Sequence, residues 1–231
     1  MKIYHGSSAI IKNPCLAKGK PYNDYGCGFY CTESIEMAKE WAAKGKEPPA
    51  FANRYELDLN GLNTLDLSKA PYDVLNWIAV LLKNRQFDLD LDVAKVVRQY
   101  LFDNFMPPVG EADVIIGYRA DDSYFSYANA FVNNGLSVAK LNEALLLGKM
   151  GLQVALISER AFDNLRFIGA DEVLWDEYHA AYTKRDRTAR LEWAKLKGAE
   201  EKISKDDLFA MDIVRMELKY GDSRLRSILP R

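Results

Sequence analysis

The chain has 231 residues, of which 48% are apolar and 12% aromatic, a composition that supports a large hydrophobic core and argues against intrinsic disorder. Its 31 basic and 33 acidic residues give a net charge of -2, so it lacks the basic excess typical of general nucleic-acid-binding proteins. No apolar run is long enough for a signal peptide or a transmembrane helix, and the three cysteines lack zinc-ligand spacing. We therefore expect a cytoplasmic protein with reduced thiols and no bound metal.

The N-terminal part of the chain predicts a strand, a long loop, a second strand and a helix. Alternating residues place the first strand at 2–5, with a histidine at its end. Glycine, proline and polar residues make 13–28 a loop that runs into a short strand at 29–32. Apolar residues at helical spacing then predict a helix at 33–44, for which Thr32 offers a capping oxygen.

The middle of the chain predicts a β-hairpin followed by two helices. Residues 53–59 alternate as a strand, and Asn60-Gly61 is a strong turn signal before a second strand at 62–67. The period then becomes helical at 72–84 and 90–105. We interpret this helical pair as an insertion into the surrounding domain.

The second half of the chain mixes strands with helices and ends in a charged helical tail. Apolar runs predict buried strands at 112–118 and 153–158, and a bent strand is predicted within 165–175. Four helices are predicted in this half, at 121–132, 137–149, 178–197 and 205–228. We interpret His179 and the basic run 184–190 as parts of a solvated helical face.

A glycine-rich segment before the second predicted strand carries the strongest chemical signal in the chain. Gly26 and Gly28 precede an aromatic pair that ends with Tyr30. Because glycine has no side chain, the backbone here can approach a flat ligand closely, while Tyr30 offers it a ring face. His5 and Gly6, at the end of the first predicted strand, form a second candidate pair. Together the two segments predict a nucleotide pocket.

Three motifs in this order resemble those of ADP-ribosyltransferases of the His-Tyr-Glu type. They are Tyr-His-Gly at 4–6, the segment GCGFYCT at 26–32 with the helix behind it, and a predicted strand that opens at Gln153. In particular, the chain resembles a bacterial family of small ADP-ribosyltransferase-like proteins, over about residues 2–168.

The resemblance implies an α+β fold of the ADP-ribosyltransferase-like kind, with a core built on a split mixed β-sheet. Residues 1–175 are then the ADP-ribosyltransferase-like domain, and the helical pair at about 71–106 is inserted into it. Residues 176–231 form a C-terminal helical extension that the resemblance does not cover.

The resemblance also implies that NAD is the substrate. His5 is expected to hydrogen-bond a ribose hydroxyl, and the Gly6 backbone to hold the nicotinamide carboxamide. Tyr30 is expected to stack on the nicotinamide ring, with Trp41 as the opposite wall. Breaking the bond from nicotinamide to ribose develops positive charge on the ribose, so the site must hold both halves rigidly. The loop residues Tyr22, Asn23, Asp24 and Tyr25 are candidates for shaping the diphosphate or acceptor side of the site. Gly28, Thr32 and Asp121 are further candidates for contact with NAD.

The chain departs from the family pattern at Gln153, where the family has glutamate. A neutral amide still hydrogen-bonds a ribose hydroxyl, but it brings no negative charge to the developing cation. The loss of one such contact costs about 3–4 kcal/mol, or a factor on the order of a thousand in rate. The acceptor itself, or a carboxylate such as Asp121 or Asp122, is a candidate source of the missing charge.

Each candidate also has a purely structural interpretation. His5 fits a surface or capping residue, and Tyr30 and Trp41 fit core positions. Gln153 fits a polar residue at a strand edge, and Asp121 fits a helix N-cap.

These observations predict an NAD-dependent mono-ADP-ribosyltransferase rather than a polymer-forming enzyme. Its acceptor, a protein or a nucleic acid, is not specified by the sequence. The resemblance also suggests a toxin or defence effector with a neutralising partner protein. Two alternatives stay open: an NAD glycohydrolase that uses water as the acceptor, and an NAD-binding pseudoenzyme with little turnover because of Gln153.

Overall fold

The computed structural model describes residues 1–45, 47–87, 89, 91–120, 122–146, 151–198 and 207–226. In these residues the chain forms two β-sheets with helices packed around them, so the predicted α+β class is confirmed. The strands are β1 (Lys2–Ser7), β2 (Phe29–Cys31), β3 (Phe51–Leu57), β4 (Thr64–Asp66), β5 (Val114–Tyr118), β6 (Leu152–Leu156) and β7 (Leu165–Glu172). The α-helices are α1 (Ile35–Ala42), α2 (Val74–Asn84), α3 (Asp92–Phe105), α4 (Asp122–Val132), α5 (Val138–Leu146), α6 (Glu159–Asp163), α7 (Trp175–Gly198), α8 (Ala210–Arg215) and α9 (Ser223–Arg226).

The two sheets meet at a backbone bridge beside the predicted motifs. One sheet has the order β1-β3-β7 and is antiparallel, and the other has the order β2-β6-β5-β4. Tyr4 and Thr32 exchange two backbone hydrogen bonds, with N···O distances of 2.8 and 2.9 Å. This bridge joins β1 to the end of β2, and so brings His5 next to Tyr30.

The predicted hairpin around Asn60-Gly61 is wrong. The chain does turn there, with a φ of 75° at Gly61, but β3 and β4 belong to different sheets. β4 instead pairs in parallel with β5, through a crossover that contains α2 and α3. The side chain of Asp113 accepts a hydrogen bond from the Asn63 backbone N–H at 2.9 Å, which holds the start of β4 against β5. The turn signal is local, whereas tertiary contacts decide the partner strand.

The largest hydrophobic cluster is built around α2. Nine of the 11 residues of this helix are buried, and a capping box between Asp73 and Asn76 begins it. Side chains from α3, α4, α5 and α8 complete the same cluster. The two helices predicted after residue 71 are therefore confirmed, and the first of them lies inside the core.

Two predicted helix limits are wrong for identifiable reasons. Ser34, rather than Thr32, caps α1, because the Ser34 side chain accepts a backbone hydrogen bond of the first turn at 3.3 Å. The helix predicted at 205–228 is interrupted between α8 and α9, where Glu217 and Gly221 adopt φ values of 51° and 83°. Positive φ cannot continue a right-handed helix.

The helical tail packs on the rest of the chain through one side of α7, so the prediction of a solvated face is wrong for His179 and Arg185 but is confirmed for Lys184, Arg187 and Arg190, which are exposed. His179 Nδ1 lies 2.8 Å from the Ala43 carbonyl oxygen at the end of α1. Arg185 and Glu40 form an ion pair with an N···O distance of 2.7 Å, and 14% and 15% of their side chains are exposed. α7 therefore covers the helix that carries Trp41.

Candidate functional site

A cavity of about 550 Å³ opens between the two sheets. Its walls come from β1, the loop before β2, β2 itself, α1, the end of α2, the segment after β5, and β6. Eight of the residues singled out in the sequence line it, namely His5, Gly6, Asn23, Asp24, Gly28, Tyr30, Trp41 and Gln153. Residues that are far apart in the chain thus share one cavity.

His5 lines the cavity with a fixed tautomer. Its Nδ1 atom lies 2.7 Å from the carbonyl oxygen of Tyr30. Because a carbonyl oxygen only accepts hydrogen bonds, Nδ1 must carry the proton, and Nε2 keeps a lone pair in the neutral ring. Burial lowers the pKa of His5, and the hydrogen bond to Tyr30 partly opposes that shift. His5 therefore offers an acceptor nitrogen near neutral pH.

Tyr30 is one of the residues that line the cavity, and its hydroxyl anchors the loop before β2. The hydroxyl donates to the Gly26 carbonyl oxygen at 2.7 Å and accepts from the Tyr25 backbone N–H at 3.0 Å. Burial raises the pKa of Tyr30, so the hydroxyl keeps its proton. Gly26 has a φ of 81°, a conformation that favours glycine, and this turn lets the loop fold back onto the hydroxyl.

Trp41 forms part of the cavity wall together with a cation. The Arg119 guanidinium lies 4.3 Å from the centre of the Trp41 ring, in a cation–π contact that covers one ring face. The helix that carries Trp41 sits very close to β1 at Gly6, where an added Cβ would lie 2.0 Å from the Ala38 carbonyl oxygen. Glycine at this position is therefore required by packing.

Gln153 is held in place by two hydrogen-bond acceptors. It lies on β6 opposite Gly117 of β5, and it is 3% exposed. Its Nε2 atom donates to Asp24 Oδ2 at 2.8 Å and to the Tyr118 carbonyl oxygen at 3.2 Å. Asp24 Oδ2 also accepts from the Ala120 backbone N–H at 2.9 Å. The amide of Gln153 is thus part of a buried polar network around Asp24.

The residues that carry this geometry fall within a region matched by a known family. The chain matches the family model described as "Protein of unknown function (DUF3990)" over residues 1–167. The chain belongs to the DUF3990 family. No curated protein and no solved structure matches it. The DUF3990 region runs from β1 into β7 and contains the described residues that line the cavity, whereas α7, α8 and α9 lie beyond it.

Three other residues predicted to contact NAD, Tyr22, Tyr25 and Thr32, are not among the described residues that line the cavity of this DUF3990 protein. Tyr22 is 62% exposed on the surface. Tyr25 is buried, its ring is parallel to that of Tyr30 at a centroid separation of 6.4 Å, and its hydroxyl donates to the Tyr118 carbonyl oxygen. Thr32 is buried in the bridge between the sheets. Asp121 lies outside the described residues, so its contact with NAD stays a prediction.

The motifs of the DUF3990 chain do not include most of the charged residues in the cavity. Among the described lining residues there are five cationic side chains and one carboxylate, that of Asp24. The cations are Lys18, Lys20, Lys44, Arg85 and Arg119. In the sequence nothing separates these residues from ordinary surface charges, because they are scattered over several elements. A lining of this kind favours an anionic ligand.

In the part of the chain that the structure describes, no group of three or more His, Cys, Asp or Glu side chains could hold a metal ion. The three cysteines are free thiols, with Cys15 and Cys27 exposed and Cys31 buried. None of the described helices combines the length and the apolar composition needed to cross a bilayer.

Proposed function

We propose that this DUF3990 protein is an NAD-dependent mono-ADP-ribosyltransferase. The proposal is carried by one observation: His5, Tyr30 and Gln153, the three ordered motif positions, line the same cavity as Gly6 and Trp41. Purely structural roles for these residues would not require them to share a cavity. The volume of about 550 Å³ also suits a ligand pocket, since such pockets measure about 300–1,000 Å³.

The proposed reaction breaks one bond and forms one. The bond between the nicotinamide nitrogen and ribose C1′ breaks, and its electron pair leaves with nicotinamide, which becomes neutral. A nucleophile of the acceptor then bonds to C1′ and loses its proton. Positive charge develops on the ribose between these events, so the site must hold the sugar and the leaving group in place and favour the cation.

The contacts of His5, Tyr30 and Trp41 suit a site in which one residue holds the ribose and two aromatic residues hold the nicotinamide ring. The Nε2 lone pair of His5 accepts a hydrogen bond from a ribose hydroxyl, and the bond from Nδ1 to the Tyr30 backbone keeps the imidazole oriented. The Tyr30 ring stacks on nicotinamide, while Trp41, backed by Arg119, forms the facing wall. The cationic side chains of the cavity hold the two phosphates of NAD.

The arrangement of elements supports the same proposal. Two sheets joined at Tyr4 and Thr32 fit the split mixed sheet of the ADP-ribosyltransferase-like fold. The pair α2 and α3 fits the helical insertion within a domain at 1–175, and α7, α8 and α9 fit the extension at 176–231.

Single transfer is proposed rather than polymer synthesis. A neutral Gln153 gives the reaction less electrostatic assistance than a glutamate would, and a single transfer demands less of the site than chain elongation. The acceptor is proposed to be a protein or a nucleic acid. By resemblance, the protein acts in the cytoplasm as a toxin or defence effector that a partner protein neutralises.

Release of nicotinamide from NAD tests the proposal without knowledge of the acceptor. We expect release in the presence of a bacterial lysate, with labelled ADP-ribose becoming attached to a macromolecule. Both signals should be lost in His5→Ala and Tyr30→Ala while circular dichroism shows a retained fold. His179→Gln is the matched control, because the second histidine of the chain lies on α7 and does not line the cavity.

The products separate the alternatives. Free ADP-ribose without a modified macromolecule would identify an NAD glycohydrolase. Binding of NAD in calorimetry without release of nicotinamide would identify a pseudoenzyme. Neither binding nor release would overturn the proposal altogether.

A further inference from the structure

One carboxylate lines the cavity among the described residues, and it contacts Gln153. Asp24 Oδ2 lies 2.8 Å from Gln153 Nε2. Asp24 is 5% exposed and Gln153 is 3% exposed, so this contact is shielded from water. Charge in such surroundings acts more strongly on its neighbours than charge at the surface.

Both hydrogens of the Gln153 amide are used on protein acceptors. Nε2 lies 2.8 Å from Asp24 Oδ2 and 3.2 Å from the Tyr118 carbonyl oxygen. A carbonyl oxygen only accepts hydrogen bonds, as does an ionised carboxylate, so the nitrogen of the amide rather than its oxygen must face them. Oε1 is then the polar atom of Gln153 that remains for a ligand. The contact with Asp24 therefore determines which atom of Gln153 meets the substrate.

The neighbours of the Asp24 carboxylate favour its ionised form. Oδ2 accepts from the Ala120 N–H at 2.9 Å as well as from Gln153. Oδ1 lies 3.7 Å from Nη1 of Arg85, and Arg119 adds a second positive charge nearby. Burial raises the pKa of Asp24, and these donors and cations limit the rise.

We propose that Asp24 is a positioning residue that supplies, through Gln153, the negative charge that a neutral amide lacks. This inference rests on the proposed function. Gln153 Oε1 accepts a hydrogen bond from a ribose hydroxyl. The Asp24 carboxylate polarises the amide from its nitrogen side and favours the ribose cation that forms when nicotinamide leaves with the electron pair of its bond. No proton passes between Asp24 and Gln153.

The substitution Asp24→Asn tests the inference because it removes the charge and keeps the shape. The oxygen of the introduced amide can still accept from the Ala120 N–H and from Gln153 Nε2. We expect kcat for nicotinamide release to fall by about 10²–10³-fold. The KM for NAD should change far less than kcat, because in bound NAD the positive charge lies on the nicotinamide ring and moves to the ribose only as the bond breaks.

Asp113→Asn is the matched control. Asp113 is also a buried carboxylate, 4% exposed, but it lies directly before β5 and does not line the cavity. We expect both kinetic constants of this variant to match those of the wild type. An equal loss of kcat in both variants would show that removal of any buried carboxylate charge lowers the rate. That result would overturn the inference.

Two further outcomes separate this inference from the proposed function. A wild-type protein that releases nicotinamide and an Asp24→Asn variant with unchanged kcat would overturn the inference and leave the proposed function standing. A raised KM with unchanged kcat would also overturn the inference and leave the proposed function standing, since it would show that Asp24 contributes only to NAD binding. A wild-type protein that releases no nicotinamide overturns both.

Discussion

The Nδ1 atom of His5 lies 2.7 Å from the carbonyl oxygen of Tyr30, 25 positions along the chain. The imidazole is therefore oriented by the backbone of β2 and not by the Tyr30 side chain. The backbone bridge between Tyr4 and Thr32 holds the two strands in register beside this contact. A substitution can thus remove the Tyr30 ring without removing the backbone oxygen that orients His5.

His5 is expected to titrate below the ordinary histidine pKa of about 6.5, because burial lowers its pKa. His179→Gln leaves His5 as the one histidine of the chain, so an NMR titration of that variant reports on His5 alone. If the neutral ring binds the ribose, NAD affinity is constant above about pH 6.5 and falls at lower pH. Protonation also costs stability, which is lost as the pH falls through the lowered pKa. A measured His5 pKa above about 6.5 would contradict the prediction that burial lowers the pKa of this residue.

Two substitutions at Tyr30 separate its ring from its hydroxyl. Stacking of a base on an aromatic ring contributes about 1–3 kcal/mol, so Tyr30→Ala should weaken NAD binding by about 5- to 150-fold. Tyr30→Phe keeps the ring and loses the hydroxyl that joins Gly26 to Tyr25. It should lower the free energy of unfolding by about 1–3 kcal/mol, because buried partners are left unpaired. Calorimetry and denaturant unfolding measure the two effects, and wild-type NAD affinity in Tyr30→Ala would exclude stacking.

Gly6→Ala should destabilise the fold. The added Cβ would lie 2.0 Å from the Ala38 carbonyl oxygen and 2.5 Å from the Ala42 backbone nitrogen, and helix backbone cannot move aside easily. Overpacking of this kind costs about 1–3 kcal/mol. Each kcal/mol lowers Tm by about 2–4 °C in a chain of this size, which scanning calorimetry resolves. Gly110→Ala is the control, since no atom lies within 4 Å of its added Cβ. Equal melting temperatures for the two variants would contradict the close packing of β1 on α1.

Gln153→Glu should make stability depend on pH. The introduced carboxylate would face the Asp24 carboxylate and the Tyr118 carbonyl oxygen, to which Nε2 now donates at 2.8 and 3.2 Å. Two carboxylates in contact share a proton, so the upper pKa of the pair rises above about 4.3, although Arg85 limits the rise. The folded variant binds that proton more tightly than the unfolded chain does. Relative to the wild type, its stability is therefore lost as the pH rises through the raised pKa.

Melting temperatures from about pH 4 to about pH 9 check this prediction. A difference between Gln153→Glu and the wild type that stays constant over this range would contradict the contact between Gln153 and Asp24. Gln153→Glu also places at position 153 the glutamate of the ADP-ribosyltransferases that the motifs resemble. We expect no gain in activity from it while Asp24 remains beside it, because the two carboxylates repel each other unless they share a proton.

Local signals in the sequence were sufficient for the class of fold and for most elements. The apolar run of β5 and the helical period of α2 predict these elements correctly, because hydrophobic period is a signal between residues that are close in the chain. The glycines around Cys27 likewise indicate the loop that Tyr30 anchors. Resemblance to a family then singled out His5, Tyr30 and Gln153, which line one cavity.

The sequence by itself thus determined most of the elements, their order and the motif residues. Only the tertiary structure decided which strands pair and which side chains are in contact. The pairing of β4 with β5 instead of β3, and the contact of Asp24 with Gln153, join residues that are far apart in the chain. Such contacts are selected by burial and by the need of each buried polar group for a partner, and neither condition can be read from neighbouring residues.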